Sequence, residues 1–305
     1  MRTLNFIWVA ILIFLASVFS AVAQDTEQYT GTLLWKVSGN GLEKPSYILG
    51  THHLVHVSFA DKIAGLKDAM ETTEQTVGEL LMSDQTSMQA KMQQAAVMPA
   101  GESYDKLLSA EDYATLDRGL REMLTVGLDQ LGRLKPGMLS MVYTITLYTK
   151  IYPEFNPMSH EAIDAYVQRI AKEKGKPVLG LETVEDQIYA LFDAAPLKEY
   201  AEILACGVKT SDKVKEQMDK MSNYYTNGQL REMYDLTFDA DDECQMSQKH
   251  QDALYKDRND KWVEKLPAIM KDKSSLIAVG ALHLVGKDGL LVQLAQQGYT
   301  IEPVK

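Results

Sequence analysis

Cysteine is almost absent from this chain. Its 305 residues hold two, Cys206 and Cys244, too few for an all-thiolate zinc site or a multi-bridge disulfide scaffold. Positive charge is also in short supply. The 31 Lys and Arg face 42 Asp and Glu, a net charge of −11. An acidic surface of this kind argues against nucleic acid or anionic lipid as a partner. Beyond residue 23 no apolar run is long enough to read as a membrane span. No Pro-, Gly- or Ser-rich stretch marks a flexible linker, so one domain is expected. The spacing His-Glu-x-x-His is missing too, which excludes a thermolysin-type helix site.

What is present begins at the N-terminus. Met1 and Arg2 open the chain, and an apolar run follows from Phe6 to Phe19. It ends in Ala21-Val22-Ala23, small residues at the −3 and −1 positions of a cleavage site. This reads as a secretory signal peptide over residues 1–23, with an uncleaved N-terminal anchor as the other reading. The rest, 24–305, is expected to be exported to the periplasm or outside the cell. No cysteine follows the site, so a lipoprotein anchor is not expected. In an exported protein the pair Cys206 and Cys244 reads as a disulfide. Their midpoint falls in the turn-like stretch Tyr224-Tyr225-Thr226-Asn227-Gly228, so a helical hairpin folded there would bring them together. Two free buried thiols are the alternative.

Periodicity divides the chain into short strands and long helical stretches. Residues 32–37 and 46–49 read as a hairpin around Gly39-Asn40-Gly41. Residues 60–71 have helical spacing. Residues 75–81 read as a strand holding one carboxylate, and 176–182 as another entering a helix at Thr183. Residues 274–280 form the clearest buried strand. A helix near 288–297 and a strand at 299–304 complete the pattern. Strands at both ends and in the middle, with helical insertions between, predict an α/β or α+β fold with a central mixed sheet. A helical cap region is expected over roughly 84–174 and 197–272. The methionines at 82, 88, 92 and 98 read as an adaptable apolar face, for core packing or a lid. Trp35 and Trp262 read as core. His160 and His250 stand in polar helical contexts and read as exposed.

Two stretches resemble each other. Ile48-Leu49-Gly50-Thr51-His52-His53-Leu54-Val55 and Ala278-Val279-Gly280-Ala281-Leu282-His283-Leu284-Val285 share an apolar pair, Gly, a small residue, any residue, His, Leu and Val. With 19 Gly and 6 His, chance supplies about 0.4 Gly-x-x-His matches, so one would mean little and two with the same flanks mean more. Gly50 and Gly280 at strand ends permit a tight turn or a close approach. His53 and His283 then project from a sheet edge, where ligand sites of open α/β sheets lie. Glu79, a lone carboxylate between Val77 and Leu80, is costly to bury unless it meets a cation. Two His and one carboxylate form a recurring catalytic metal set. His53, Glu79 and His283 are therefore the candidate metal ligands, for Mn²⁺, Co²⁺ or Zn²⁺. Such a metal would activate water and polarise a carbonyl. Glu182, at another strand end, is a candidate ligand or general base. Its alternative role is to sit at the N-terminus of the next helix. Arg258 and Asn259 are candidate substrate contacts, with helix entry and N-capping as the plain reading. His52 and His56 are candidates for orienting a ligand histidine, or simply alternate along the chain.

Gly50-Thr51-x-His53, Glu79, Gly180-Leu181-Glu182-Thr183 with Gln187, Arg258-Asn259 with Trp262, and Gly280-Ala281-x-His283 occur in an order that resembles the TraB/GumN family. That family includes the pheromone-shutdown protein PrgY and is similar to the Tiki metalloproteases. The resemblance covers nearly all of 24–305. It implies an EreA/ChaN-like fold, a divalent metal and hydrolysis of a peptide or protein substrate. His52, at the variable position of the motif, is an extra histidine before the motif His53 and leaves open which of the two faces the site. Relatives also imply an alternative without turnover, in which the protein sequesters a pheromone-like peptide or handles haem or iron.

Overall fold

The computed structural model describes residues 29–82, 85–157, 159–238 and 242–305. The expected signal peptide lies outside the described residues.

Six strands form one sheet in the order β4-β3-β5-β2-β1-β6. They are β1 (Leu34–Gly39), β2 (Ser46–Thr51), β3 (Gln75–Gly78), β4 (Val178–Gly180), β5 (Ser275–Gly280) and β6 (Tyr299–Pro303). β1 and β2 make the expected antiparallel hairpin, and β6 pairs antiparallel with β1. β2, β5, β3 and β4 run parallel. The apolar character of β2, β3 and β5 follows from their burial, while β4 lies at the exposed edge. A strand covered on both faces has no solvent side to alternate towards, and every residue of β3 is buried. The stretch expected as one helix over 60–71 is a 3-10 turn, Val57–Lys62, then an α-helix, Leu66–Thr72, parted by Gly65 at φ 71°.

Seven helices matter below: α1 (Ala110–Leu124), α2 (Pro136–Ile151), α3 (Ile163–Glu173), α4 (Leu197–Lys209), α5 (Ser211–Thr226), α6 (Leu230–Thr237) and α7 (Lys256–Asp272). Two apolar clusters hold the molecule. One lies on the sheet and takes in Ile163 and Val167 of α3 with Trp262, Val263 and Leu266 of α7. The other is helical, built by Leu116 and Leu120 of α1, Leu139 and Tyr143 of α2, and Ala201 and Leu204 of α4. Met98 belongs to this second core. Trp35 and Trp262 are fully buried, as their sequence context predicted.

Cys206 and Cys244 form a disulfide with Cα atoms 5.6 Å apart. Cys206 sits on α4 and Cys244 beyond α6. Between them the chain reverses at Gly228, φ 67°, from α5 into α6. His250 departs from expectation. It is buried, its Nδ1 3.1 Å from Glu199 and its ring 4.3 Å from that of Tyr200. A polar sequence context does not reveal that a partner waits on another helix. His160 is also partly covered, and its Nε2–H donates to the carbonyl of His53 at 2.7 Å.

Candidate active site

Parallel strands end together. β2, β3, β4 and β5 share one carboxyl edge, with Thr51 level with Gly280 and Gly78 level with Ala278 and Gly180. His53, Glu79, Glu182 and His283 each lie one to three residues beyond these ends. Topology alone therefore gathers at one edge four residues that are scattered in sequence. His53, Glu79 and His283 line a cleft of about 370 Å³ with Thr51, His52 and Arg258; Leu191, Met221, Met233 and Leu254 add apolar wall.

The glycines act by permitting close approach. A Cβ on Gly50 would stand 3.1 Å from Ala281 Cα and 3.2 Å from the Leu284 side chain. One on Gly280 would stand 3.3 Å from Glu79 Oε1. The Gly280 N–H itself donates to that oxygen at 2.7 Å.

Arg258, early in α7, is the centre of the polar network. Nη2 donates to Glu79 Oε2 at 2.6 Å and to Glu182 Oε1 at 2.7 Å. Nε donates to Glu182 Oε2 at 3.0 Å, and Nη1 to His283 Nε2 at 2.9 Å. The guanidinium also lies 4.7 Å from the Trp262 ring centre, a favourable place for a cation. Glu182 is thus a counter-ion of Arg258. The capping role falls to Thr183 and Asp186, which form a capping box. Asn259 is buried. Its Oδ1 accepts from His283 Nδ1 at 2.7 Å, and its amide donates to the carbonyls of His283 and Asp288. Arg258 and Asn259, read from sequence as substrate contacts or helix caps, lie inside α7 and are both committed to protein partners from other elements.

These contacts set charge states. Burial pushes His283 down to about 3, so the ring is neutral, with its proton on Nδ1 and its Nε2 lone pair taken by Arg258. Burial opposes ionisation of Glu79, but the charges on Arg258 and His53 and the Gly280 N–H outweigh it and hold the carboxyl at about 2. His53 is the opposite of His283. Its side chain is 66% exposed, and Nδ1 lies 3.2 Å from Asp164 Oδ2. That hydrogen bond, against desolvation, raises it to about 9. His52 is pushed down to about 4 by burial and by the charge on His53. Its Nδ1 accepts the Leu54 N–H, and its ring packs on Tyr225. Both histidines line the cleft, and His53 carries the charge there. His56 lies elsewhere and caps the turn Val57–Lys62 through the Ser58 N–H.

Asp164 is the site residue that sequence reasoning missed. It sits in the first turn of α3, where an acid is ordinarily a dipole complement, so no sequence signal marks it. Thr51 is a second omission. Its hydroxyl is buried at the cleft with no hydrogen-bond partner, and Asp164 Oδ1 is likewise buried and unpartnered.

A profile of the TraB/PrgY/gumN family matches residues 33–303. The chain belongs to the TraB/PrgY/gumN family. Among curated relatives of this TraB/PrgY/gumN protein, the Metalloprotease TIKI2 of Danio rerio is 23% identical over 323 residues. That match covers 89% of this chain and 60% of the relative. The chain therefore spans under two thirds of the relative's length. No solved structure matches the chain.

Among the described residues, no three His, Cys, Asp or Glu groups are arranged to hold a metal ion. The donor types of His53, Glu79 and His283 suit a divalent cation. Their arrangement does not, because the Arg258 guanidinium already engages Glu79 Oε2 and His283 Nε2. No helix among the described residues is long and apolar enough to cross a membrane.

Proposed function

We propose that this TraB/PrgY/gumN protein is an exported hydrolase acting on peptides or proteins at the cleft between its two Gly-x-x-His loops. The observation that carries the reading is the convergence of His53, Glu79, Arg258 and His283 on one cleft at the shared strand edge. The likeness to a metalloprotease supports a peptide bond as the target, and the disulfide fits an oxidising compartment. Four residues divide the work. Protonated His53 polarises the scissile carbonyl and then gives its proton to the leaving amine. Glu79 orients a water molecule and accepts its proton as the C–O bond forms. A carboxylate held near 2 is a weak base, so Glu79 gains basicity as the Arg258 contact loosens. His283 and Glu182 keep Arg258 in register. With Arg258 seated, no step runs through a metal ion.

A second reading has its own support. Arg258, Glu79, Glu182 and His283 satisfy one another, and the cleft wall is mainly apolar, features suited to holding a peptide without cleaving it. The two readings separate in one experiment. The purified protein is incubated with a mixture of proteome-derived peptides, and new termini are counted by mass spectrometry. It is run beside His53→Ala and Glu79→Gln, with chelator, and with added Mn²⁺, Co²⁺ or Zn²⁺. Cleavage lost in both variants supports hydrolysis. Cleavage that persists with chelator assigns it to the side chains, and cleavage that needs added metal restores the metal-ligand role of His53, Glu79 and His283. Absence of cleavage under every condition leaves the sequestering reading.

A further inference from the structure

A second pocket, of about 480 Å³, adjoins the cleft. Leu54 lines both. The wall between them is the backbone that follows His53, and the second pocket braces that wall from behind. Tyr148 donates its hydroxyl to the Leu54 carbonyl at 3.4 Å, and His160 donates to the His53 carbonyl at 2.7 Å. The lining is rich in rings. Tyr148 meets Phe155 edge-on, centroids 4.8 Å apart and planes at 82°, and lies 4.5 Å from Tyr152. Phe155 also contacts the His160 ring at 4.7 Å. Around these rings stand hydroxyl and amide groups, including Thr226, and one carboxylate, Glu154.

We infer that this pocket is a specificity subsite for an aromatic side chain, Phe or Tyr, of the peptide bound in the cleft. The inference rests on the proposed peptide substrate. Three features select that occupant. Aromatic rings favour edge-to-face and offset contacts with other rings, which this lining offers in several orientations. The polar rim accepts a phenol hydroxyl, and Glu154 repels an acidic side chain. The shared wall supplies the geometry. Side chains of an extended peptide alternate in direction, so a peptide with its scissile carbonyl at His53 directs a nearby side chain across Leu54.

The test again uses proteome-derived peptides, and compares wild type with Phe155→Ala, Tyr148→Phe and Thr226→Trp. Thr226 is exposed at the end of α5, so the tryptophan fills the pocket with little demand on folding. Cleavage sites in wild type should be enriched at least fivefold in Phe or Tyr within three residues of the broken bond. Phe155→Ala and Thr226→Trp should abolish the enrichment while other His53-dependent cleavage persists. Tyr148→Phe keeps the ring and should retain it. No enrichment in wild type, or enrichment unchanged in Thr226→Trp, overturns the subsite. If no peptide is cleaved at all, hydrolysis has failed and the subsite is judged by binding. Fluorescence anisotropy of a labelled Phe-containing peptide and its Ala counterpart, on His53→Ala protein, then decides. At least tenfold tighter binding of the Phe peptide, lost in His53→Ala/Thr226→Trp, supports the pocket, and equal affinities overturn it.

Discussion

The loops at His53 and His283 share a sequence pattern and end adjacent parallel strands, yet their histidines reach opposite states. His283 is 4% exposed, neutral and held by Arg258 and Asn259. His53 stands open at the cleft and is raised to about 9 by Asp164. The motif fixes where a histidine is placed. Its charge comes from what other elements deliver, α7 to one loop and α3 to the other. A repeated motif in a fold therefore does not imply repeated chemistry.

The largest disturbance to this asymmetry is Arg258→Met. It strands Glu79 and Glu182 as buried carboxylates without their cation, which should cost about 3–5 kcal/mol. A chain of this size should lose roughly 10 °C in Tm. Adding Glu79→Gln and Glu182→Gln should recover part of it by calorimetry, whereas no recovery would mean the network is not the source. The disulfide provides a contrast outside the polar network of Arg258. Cys206→Ser with Cys244→Ser opens a loop of 38 residues, worth up to about 4 kcal/mol in the chain-entropy model. Denaturant melts should show that loss, while NMR titrations of His53 and His283 stay unchanged.

Gly50→Ala and Gly280→Ala compare the loops directly. The Gly50 Cβ would press on backbone of the opposite loop, at Ala281 Cα, and should cost about 1–3 kcal/mol as overpacking. The Gly280 Cβ meets a carboxylate oxygen at 3.3 Å, which shifts more readily, so the loss in denaturant melts should be smaller. Equal losses would remove the distinction. The smallest effect is Asp164→Asn, because the His53 side chain is 66% exposed and solvent screens its pair with Asp164. In wild type the folded pKa of His53, about 9, exceeds its ordinary 6.5, so folding favours the bound proton. That contribution is complete below about 6.5 and disappears as pH rises through about 9. Tm should therefore decline over this window in wild type and be flatter in Asp164→Asn, with the His53 NMR titration moving down towards 6.5. A titration left near 9 would remove Asp164 from the account.

Much of this arrangement is legible in the chain. The four parallel strands announce themselves as short apolar runs, and Glu79 and Glu182 stand out as carboxylates at the ends of such runs. The repeated Gly-x-x-His pattern marks the edge. Partners that meet only in space are less visible. Asp164 looks like any acid in a helix's first turn. Arg258 is 179 residues from Glu79, and sequence showed its charge but not that the charge is consumed internally. His250 and its Glu199 are hidden in the same way by 51 residues of separation.

The position of β5 in the sheet has a consequence for the order of events in the cell. It separates β3 from β2, and its Gly280 reaches Glu79 across 201 residues. Translation delivers both flanking strands long before the one that joins them, and pairings of such range close late in folding. Until β5 inserts, Glu79 lacks the Gly280 N–H and Arg258 lacks the His283 ring, so a growing chain has no assembled cleft. The geometry of the strand edge is thereby completed only after synthesis has passed this strand.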